Sequence, residues 1–346
     1  MQVRAALFHG LVIPAHPLAL RASRHLDERR QRALTRYYLD AGAGGLAVGV
    51  HTTQFAIHEP ARGLLRPVLQ LAIETARAHE VRAGRPVMIA GVIGRTRQAV
   101  GEAIMAHDLG YDAVLLGPAG VAHTSDDLLI ARARAVAAVS PVMGFYLQPA
   151  VGGRALGYRF WRRFAEIDNV VAIKIAPFDR YATVDVVRAI VDSGRSGEIA
   201  LYTGNDDHIV LDLLTRFQIA PGRPAQIVGG LLGHWAFWTR TAVAHHRLCR
   251  RAARARAPIP SRLLALAAEV TDANGAIFDV TNAFRGCIPG IHEVLRRQGL
   301  LAGRWCLDSR EELSAGQADE IDRVCRAYPH LADDGFVRQH LDGWMQ

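Results

Sequence analysis

Eight short apolar runs punctuate the first two thirds of the chain and leave its fold little freedom. They occupy residues 11–14, 45–50, 87–93, 112–117, 141–146, 170–175, 199–202 and 227–232. Most are apolar on both faces, as buried parallel strands are. Helical patterns fill the gaps, at 27–40, 66–79, 96–109, 125–139, 158–167, 183–192, 207–217 and 235–255. Pro67 suits a first helical turn, and Ser125-Asp126-Asp127 suits a helix N-terminus. From the third run on, the repeat is about 25–30 residues. Strand and helix alternating eight times predict an α/β fold, a (βα)8 TIM barrel with its active site at the C-terminal strand ends. A doubly wound sheet is the alternative, and near-regular units favour closure.

Beyond the Ala257-Pro258-Ile259-Pro260 segment the strand signal stops, and 261–270, 291–298 and 314–327 read as helices. The expected division is a barrel over 1–256 carrying the active site and a C-terminal helical domain over 257–346.

The 41 basic residues include one lysine, Lys174, and it sits inside the apolar run Val170-Val171-Ala172-Ile173-Lys174-Ile175. Arginine stays protonated, whereas a desolvated lysine can lose its proton and form a Schiff base with a carbonyl. Apolar walls lower an amine's pKa. A strand-end lysine can also simply snorkel to water, but its being the sole lysine points to a catalytic amine.

Other polar groups fall at the ends of the other runs. Thr52 and Thr53 follow the second, and their hydroxyls would bind a carboxylate or cap the next helix. Tyr146 ends the fifth, as a proton relay or as a core tyrosine. Gly204 and Asn205 follow the seventh: the glycine allows close backbone approach, and Asn205-Asp206 would bind hydroxyls or cap a helix. Gly229 and Gly230 in the eighth would leave space over a reacting carbon.

The net charge of +8 and pI of about 9.8 favour anionic partners. The arginines are scattered except at 247–256, which reads as a solvated helix face, and no nucleic-acid motif accompanies it. The four cysteines, Cys249, Cys287, Cys306 and Cys325, form no C-x-x-C pair and read as reduced thiols. The fifteen histidines show no metal-ligand spacing, and no Rossmann or P-loop glycine fingerprint is present. No metal and no cofactor is expected beyond a covalent imine on Lys174. The N-terminus lacks a signal-peptide layout and no run is long enough to span a membrane. A cytoplasmic protein is expected.

The order of these motifs resembles the dihydrodipicolinate synthase / N-acetylneuraminate lyase superfamily of class I aldolases, over roughly residues 10–301. The family's G-T-T-G-E loop stands here as His51-Thr52-Thr53-Gln54-Phe55. Its Y-N-x-P segment is Tyr146-Leu147-Gln148-Pro149. Its I-G-I-K-x strand is Val171-Ala172-Ile173-Lys174-Ile175, and its G-D-D turn is Gly204-Asn205-Asp206. The resemblance implies that Lys174 forms the imine, Tyr146 shuttles protons, Thr52 and Thr53 bind the substrate carboxylate, and Thr53 orients Tyr146. It also implies a homotetramer or homodimer. Three departures count against dihydrodipicolinate synthesis. Gln54-Phe55 replaces Gly-Glu, the loop 117–123 lacks a tyrosine, and Val151 stands where an arginine holds a dicarboxylate, with Arg154 nearby.

The expected function is a Schiff-base lyase acting on a carbon–carbon bond next to pyruvate or a related 2-oxo acid. The alternatives are an imine-dependent dehydratase of a deoxy-2-oxo sugar acid and a non-catalytic barrel that binds a small acid.

Overall fold

The computed structural model describes residues 3–79, 84–121, 123–255 and 257–346. Arg256, which ends both the expected barrel and the basic run, and Ala122 of the 117–123 loop lie outside these residues. Each of the eight apolar runs forms a strand. In chain order, β1 is Val12–Pro14, β2 Gly45–Val48, β3 Val87–Val92, β4 Ala113–Leu116, β5 Val142–Leu147, β6 Val170–Ala176 and β7 Ala200–Thr203. Two more follow, β8 at Arg216–Ala220 and β9 at Arg223–Leu232. Parallel pairing runs β1-β9-β7-β6-β5-β4-β3-β2. A parallel bridge between Ala15 and Ala47 closes the ring, supported by His16 N–H donating to the Ala47 carbonyl at 2.8 Å. The architecture is a (βα)8 TIM barrel with a helical extension.

Side-chain alternation sorts the barrel residues into two cores. Outward residues such as Leu46, Val48, Val114, Ile173 and Ile175 pack under the surrounding helices. Inward residues such as Ile13, Ile89, Leu115, Met143 and Leu231 fill the lumen. A short helix, Val3–Phe8, was not anticipated from the sequence; it plugs the N-terminal end of the lumen with Ala6 and Leu7. Tyr202, facing inward from β7, fastens this plug. Its hydroxyl donates to the Leu7 carbonyl at 2.7 Å and accepts from Leu11 N–H at 3.1 Å. Burying Leu7 alone stabilises this closure by roughly 2 kcal/mol.

Several expected helices are shorter than their patterns, two of them by five residues. The helix expected over 207–217 ends at Leu214, and Phe217 belongs to β8, an exposed antiparallel partner of β9. Arg216-Phe217-Gln218-Ile219 alternates with period two, and Pro221-Gly222, with Gly222 at φ +69°, turns the hairpin. The helix expected from Trp235 begins at Thr239, because Trp238 sits at φ +52°.

The extension consists of the helices Ser261–Ile277, Cys287–Arg297, Gln317–Ala327 and Asp334–Trp344. The last, absent from the sequence reading, folds back on the helix Glu28–Ala41. There the Trp344 indole donates to Asp40 Oδ2 at 2.7 Å and the Tyr37 hydroxyl donates to Asp333 Oδ2 at 2.8 Å. No helix among the described residues is long and apolar enough to cross a membrane.

Candidate active site

A cavity of about 50 Å³ opens at the C-terminal ends of the strands. At roughly 10–15 Å³ per water on the same measure, it admits about four waters or a small acid. Lys174, from the middle of β6, reaches into it. The lysine is buried, and its Nζ lies 4.2 Å from the centre of the Phe145 ring. The stem crosses Gly204: a Cβ there would come 2.6 Å from Lys174 Cε and 2.8 Å from Ala176 Cβ. Gly204 therefore supplies the room in which the amine extends, which gives the close approach expected of this glycine a definite partner.

Asp206 faces the same cavity. Its Oδ1 accepts from His234 N–H at 2.9 Å, and its carbonyl accepts from Asn274 Nδ2 at 2.7 Å. Asn274 Oδ1 in turn accepts from His234 Nδ1 at 2.7 Å, so the helical extension steadies the loop that carries Asp206. Burial pushes the Asp206 carboxyl up, restrained by the His234 N–H and by the charge of Lys174. Burial pushes the Lys174 amine down, restrained by Asp206. The two groups are thus drawn toward each other and toward neutral pH. His51 also lines the cavity, its imidazole held at about 4 by burial and then by Lys174, so it is neutral.

The other expected site residues divide. Thr52 lines the cavity. Thr53 does not: its hydroxyl accepts from Gly49 and Val50 N–H at 3.0 and 3.1 Å and donates to the His16 carbonyl at 2.6 Å. Its hydrogen bonding is spent on shaping the loop, and it does not orient Tyr146. Tyr146 is corrected as well. It points outward from β5, packs with its ring tilted 38° against Trp161 at 5.4 Å, and accepts from Leu156 N–H at 3.1 Å. The inward neighbour is Phe145, in register with Lys174.

Asn205 is buried behind the strand end. It accepts from Phe178 N–H at 3.0 Å and donates to Asp212 Oδ2 at 3.1 Å and Thr183 Oγ1 at 3.2 Å. Gly229 and Gly230 leave no open space: a Cβ would meet the Leu11 carbonyl at 2.5 Å at the first and the Trp235 ring at 2.8 Å at the second. Arg154, near the missing dicarboxylate arginine, is occupied by the Thr124 carbonyl and by Asp126 at 2.8 Å. Lys174 is the only cationic side chain among the lining residues.

Sequence reasoning missed Asp206 as the cavity-facing partner, although strand parity pointed to it. Lys174 pairs with Tyr202, so Gly204 and Asp206 share its face and Asn205 does not. It also missed the walls given by Phe278, Phe284, Cys287 and Ile291, which follow residue 256 and close the cavity from the extension. Phe178 and Phe284 face each other there at 5.7 Å, both with left-handed backbone, φ +54° and +65°. Such strain costs on the order of 1–3 kcal/mol per residue and collects at functional sites. Gln54, where the resembled loop has glycine, keeps the glycine-like φ of +68° and accepts from Leu307 N–H at 2.6 Å. Among the described residues, no group of three or more His, Cys, Asp or Glu is placed to hold a metal.

The sequence matches the Dihydrodipicolinate synthetase family over residues 10–216. No curated protein matches it. Among solved structures, a prophage protein of the dihydrodipicolinic acid synthase family from E. coli, in complex with pyruvate, is 18% identical with a TM-score of 0.75, covering 94% of this chain and 99% of that one. N-acetylneuraminate lyase from Fusobacterium nucleatum, complexed with pyruvate, is 16% identical with a TM-score of 0.72, covering 93% and 97%. A putative dihydrodipicolinate synthetase from Pseudomonas aeruginosa is 20% identical with a TM-score of 0.70, covering 94% and 99%.

Proposed function

The chain belongs to the dihydrodipicolinate synthetase family, and on that premise we propose that it is a Schiff-base lyase making or cleaving a carbon–carbon bond next to pyruvate or a related 2-oxo acid. The observation that carries this reading is the sole lysine, desolvated, with its amine in a small cavity opposite the buried carboxyl of Asp206. Two structural relatives were solved with pyruvate, which fits the size of the cavity.

The neutral Lys174 amine attacks the C2 carbonyl, and loss of water with a proton from the Asp206 carboxyl gives a protonated imine and leaves Asp206 ionised. That cation acidifies C3. Asp206, ionised, takes the C3 proton and leaves an enamine, which attacks an aldehyde; in reverse, the enamine is released by cleavage and takes the proton back. A carboxyl raised toward neutrality can both accept and return a proton. Asp206 thus does the work that the sequence assigned to Tyr146. Thr52 and the loop that carries it offer hydrogen bonds to the substrate carboxylate, and neutral His51 offers one to the carbonyl oxygen. With Val151 where the family has an arginine, and no tyrosine in the loop 117–123, the substrate is a monocarboxylate at this end. The proposed imine chemistry calls for no metal or bound cofactor.

Intact-mass analysis after borohydride treatment with pyruvate and other 2-oxo acids tests this reading. A reduced adduct on wild-type protein and none on Lys174→Arg supports it. Tight oxo-acid binding without any adduct would make the protein a non-catalytic small-acid-binding barrel. Release of water instead of pyruvate from a deoxy-2-oxo sugar acid would make it a dehydratase.

A further inference from the structure

The proposed chemistry leaves unused a second concavity, on the N-terminal face of the barrel. It measures about 550 Å³ and lies between the helix Thr239–Arg254 and the segments that lead into β1 and β2. Arg247, Arg250, Arg251 and Arg254 line it. Their spacing of three, four and seven residues sets them on one helix face, over about 10 Å at 1.5 Å per residue. Several other half-buried arginines meet carboxylates, as Arg195 does Glu198 and Arg297 does Glu293 and Asp322, whereas buried Arg132 bonds only the Gly117 carbonyl. Among the described residues, no ion pair involves any of the four.

Arg250 is the most telling. Among the described residues its buried Nε has no hydrogen-bond partner, and its only side-chain partner is Gln226 Oε1 at 3.4 Å from NH1. Gly10 gives this guanidinium its place: a Cβ there would come 3.1 Å from Arg250 Nε and 2.1 Å from the Val228 carbonyl. The imidazole of His246 is held at about 4 by burial, with Arg250, Arg247 and Arg254 adding to the effect, so these positive fields converge on one spot. Cations in the last turn complement a helix dipole. That accounts for Arg251 and Arg254, but not for Arg247 or the buried Nε of Arg250.

We propose that this groove binds a compact polyphosphate anion, free or carried by a nucleotide, through Arg247, Arg250, Arg251 and Arg254. Guanidinium forks match phosphate oxygens two at a time, and a row of them matches a phosphoanhydride chain. Leu11, Val12 and Val243 give the groove an apolar floor. A nucleic-acid strand fits less well, because the basic row is short and no Phe, Tyr or Trp lines the groove to stack bases.

Titration calorimetry of the full chain with inorganic tripolyphosphate, ATP and orthophosphate at physiological salt tests this. Saturable binding of tripolyphosphate, tighter than of orthophosphate, is expected. Arg250→Gln weakens it by roughly tenfold or more, as loss of a charged hydrogen-bonding partner does. Lys174→Arg leaves it unchanged. The double variant Arg247→Gln/Arg254→Gln, at exposed positions, carries the test should Arg250→Gln not fold. ATP binding tighter than tripolyphosphate identifies a nucleotide, and equal affinities identify the free chain. The proposal is overturned by three outcomes: no saturable binding, binding abolished by Lys174→Arg but not by the arginine variants, or an RNA oligonucleotide that binds more tightly than tripolyphosphate.

Discussion

Two buried carboxylates in this molecule are treated in opposite ways. Glu293, on the helix Cys287–Arg297 of the extension, is surrounded by partners. Its oxygens accept from Arg296 Nε and NH2 at 2.8 and 2.9 Å, from Arg297 Nε at 2.8 Å and from Arg304 NH1 at 3.3 Å. Burial pushes its carboxyl up, but the hydrogen bonds and charges of Arg296 and Arg297 outweigh that and hold it at about 2. Asp206 at the barrel mouth has one backbone N–H on Oδ1 and a single amine across a cavity. Its carboxyl is driven up, not down. A carboxylate that is fully paired contributes stability; one left short of partners sits near the pH at which protons move.

The contrast is sharpened first at Asp206. Asp206→Asn keeps the shape and the His234 N–H bond but cannot take a proton. Turnover is expected to fall by about 10²–10⁴-fold, with a melting temperature unchanged or raised. Steady-state kinetics beside calorimetry check both; an active Asp206→Asn enzyme would remove Asp206 from the mechanism.

Glu293→Gln should do the reverse. It takes away the carboxylate that three guanidiniums share. Arg297 keeps Asp322 and Arg304 keeps Glu312, but Arg296 is left without one among the described residues. The change is expected to cost about 2–3 kcal/mol of stability, with turnover per folded molecule retained. The sign of its pH dependence follows from a folded pKa below the unfolded one of about 4.3. The contribution is complete above the unfolded value and is lost as pH falls through about 2. Denaturant melts of wild type and Glu293→Gln should therefore differ at neutral pH and converge in acid. A constant gap would assign the effect to packing.

Lys174→Met tests the penalty of holding an amine in an apolar cavity. Its folded pKa is depressed, so the penalty is full below the folded value and disappears as pH rises toward about 10.4. The variant should be inactive, more stable than wild type at neutral pH, and should lose that advantage in alkali. The smallest effect is expected at Tyr146→Phe. It removes one hydrogen bond, from Leu156 N–H, worth about 1 kcal/mol, and changes turnover by less than about tenfold. A drop comparable with that of Asp206→Asn would return the proton relay to Tyr146.

Much of the fold was legible because its signal is local. Eight apolar runs of strand length, in a near-regular repeat, leave few architectures other than a closed barrel. Lys174 was legible because a lysine in such an arginine-rich chain has few reasons to exist. Facing was harder. A shift of one residue turns every side chain of a strand to the other side, and β5 and β6 change register between Val142 and Met143. That irregularity places Phe145, not Tyr146, opposite Lys174, and no periodicity in either segment announces it. At the end of β7 the alternation was regular, and counting from Lys174 through its partner Tyr202 to Gly204 selects Asp206 over Asn205. The space beside Gly229 and Gly230 was misjudged for another reason. Leu11, which fills it at Gly229, lies at the other end of the barrel sequence, and Trp235, which fills it at Gly230, reaches back from the turn after β9. Likewise, Phe278, Phe284, Cys287 and Ile291 reach the cavity only through the packing of the extension.

The most direct test of the account is exchange of the C3 protons of a free 2-oxo acid for deuterium, catalysed by the protein without reductant and followed by NMR, with an acid that borohydride traps on Lys174. It reads imine formation and proton transfer together, without any aldehyde partner. Wild type and Tyr146→Phe should exchange at similar rates, Asp206→Asn should be slowed on the order of a hundredfold or more, and Lys174→Arg should not exchange. Exchange by Asp206→Asn at the wild-type rate, with loss of exchange in Tyr146→Phe, would contradict it.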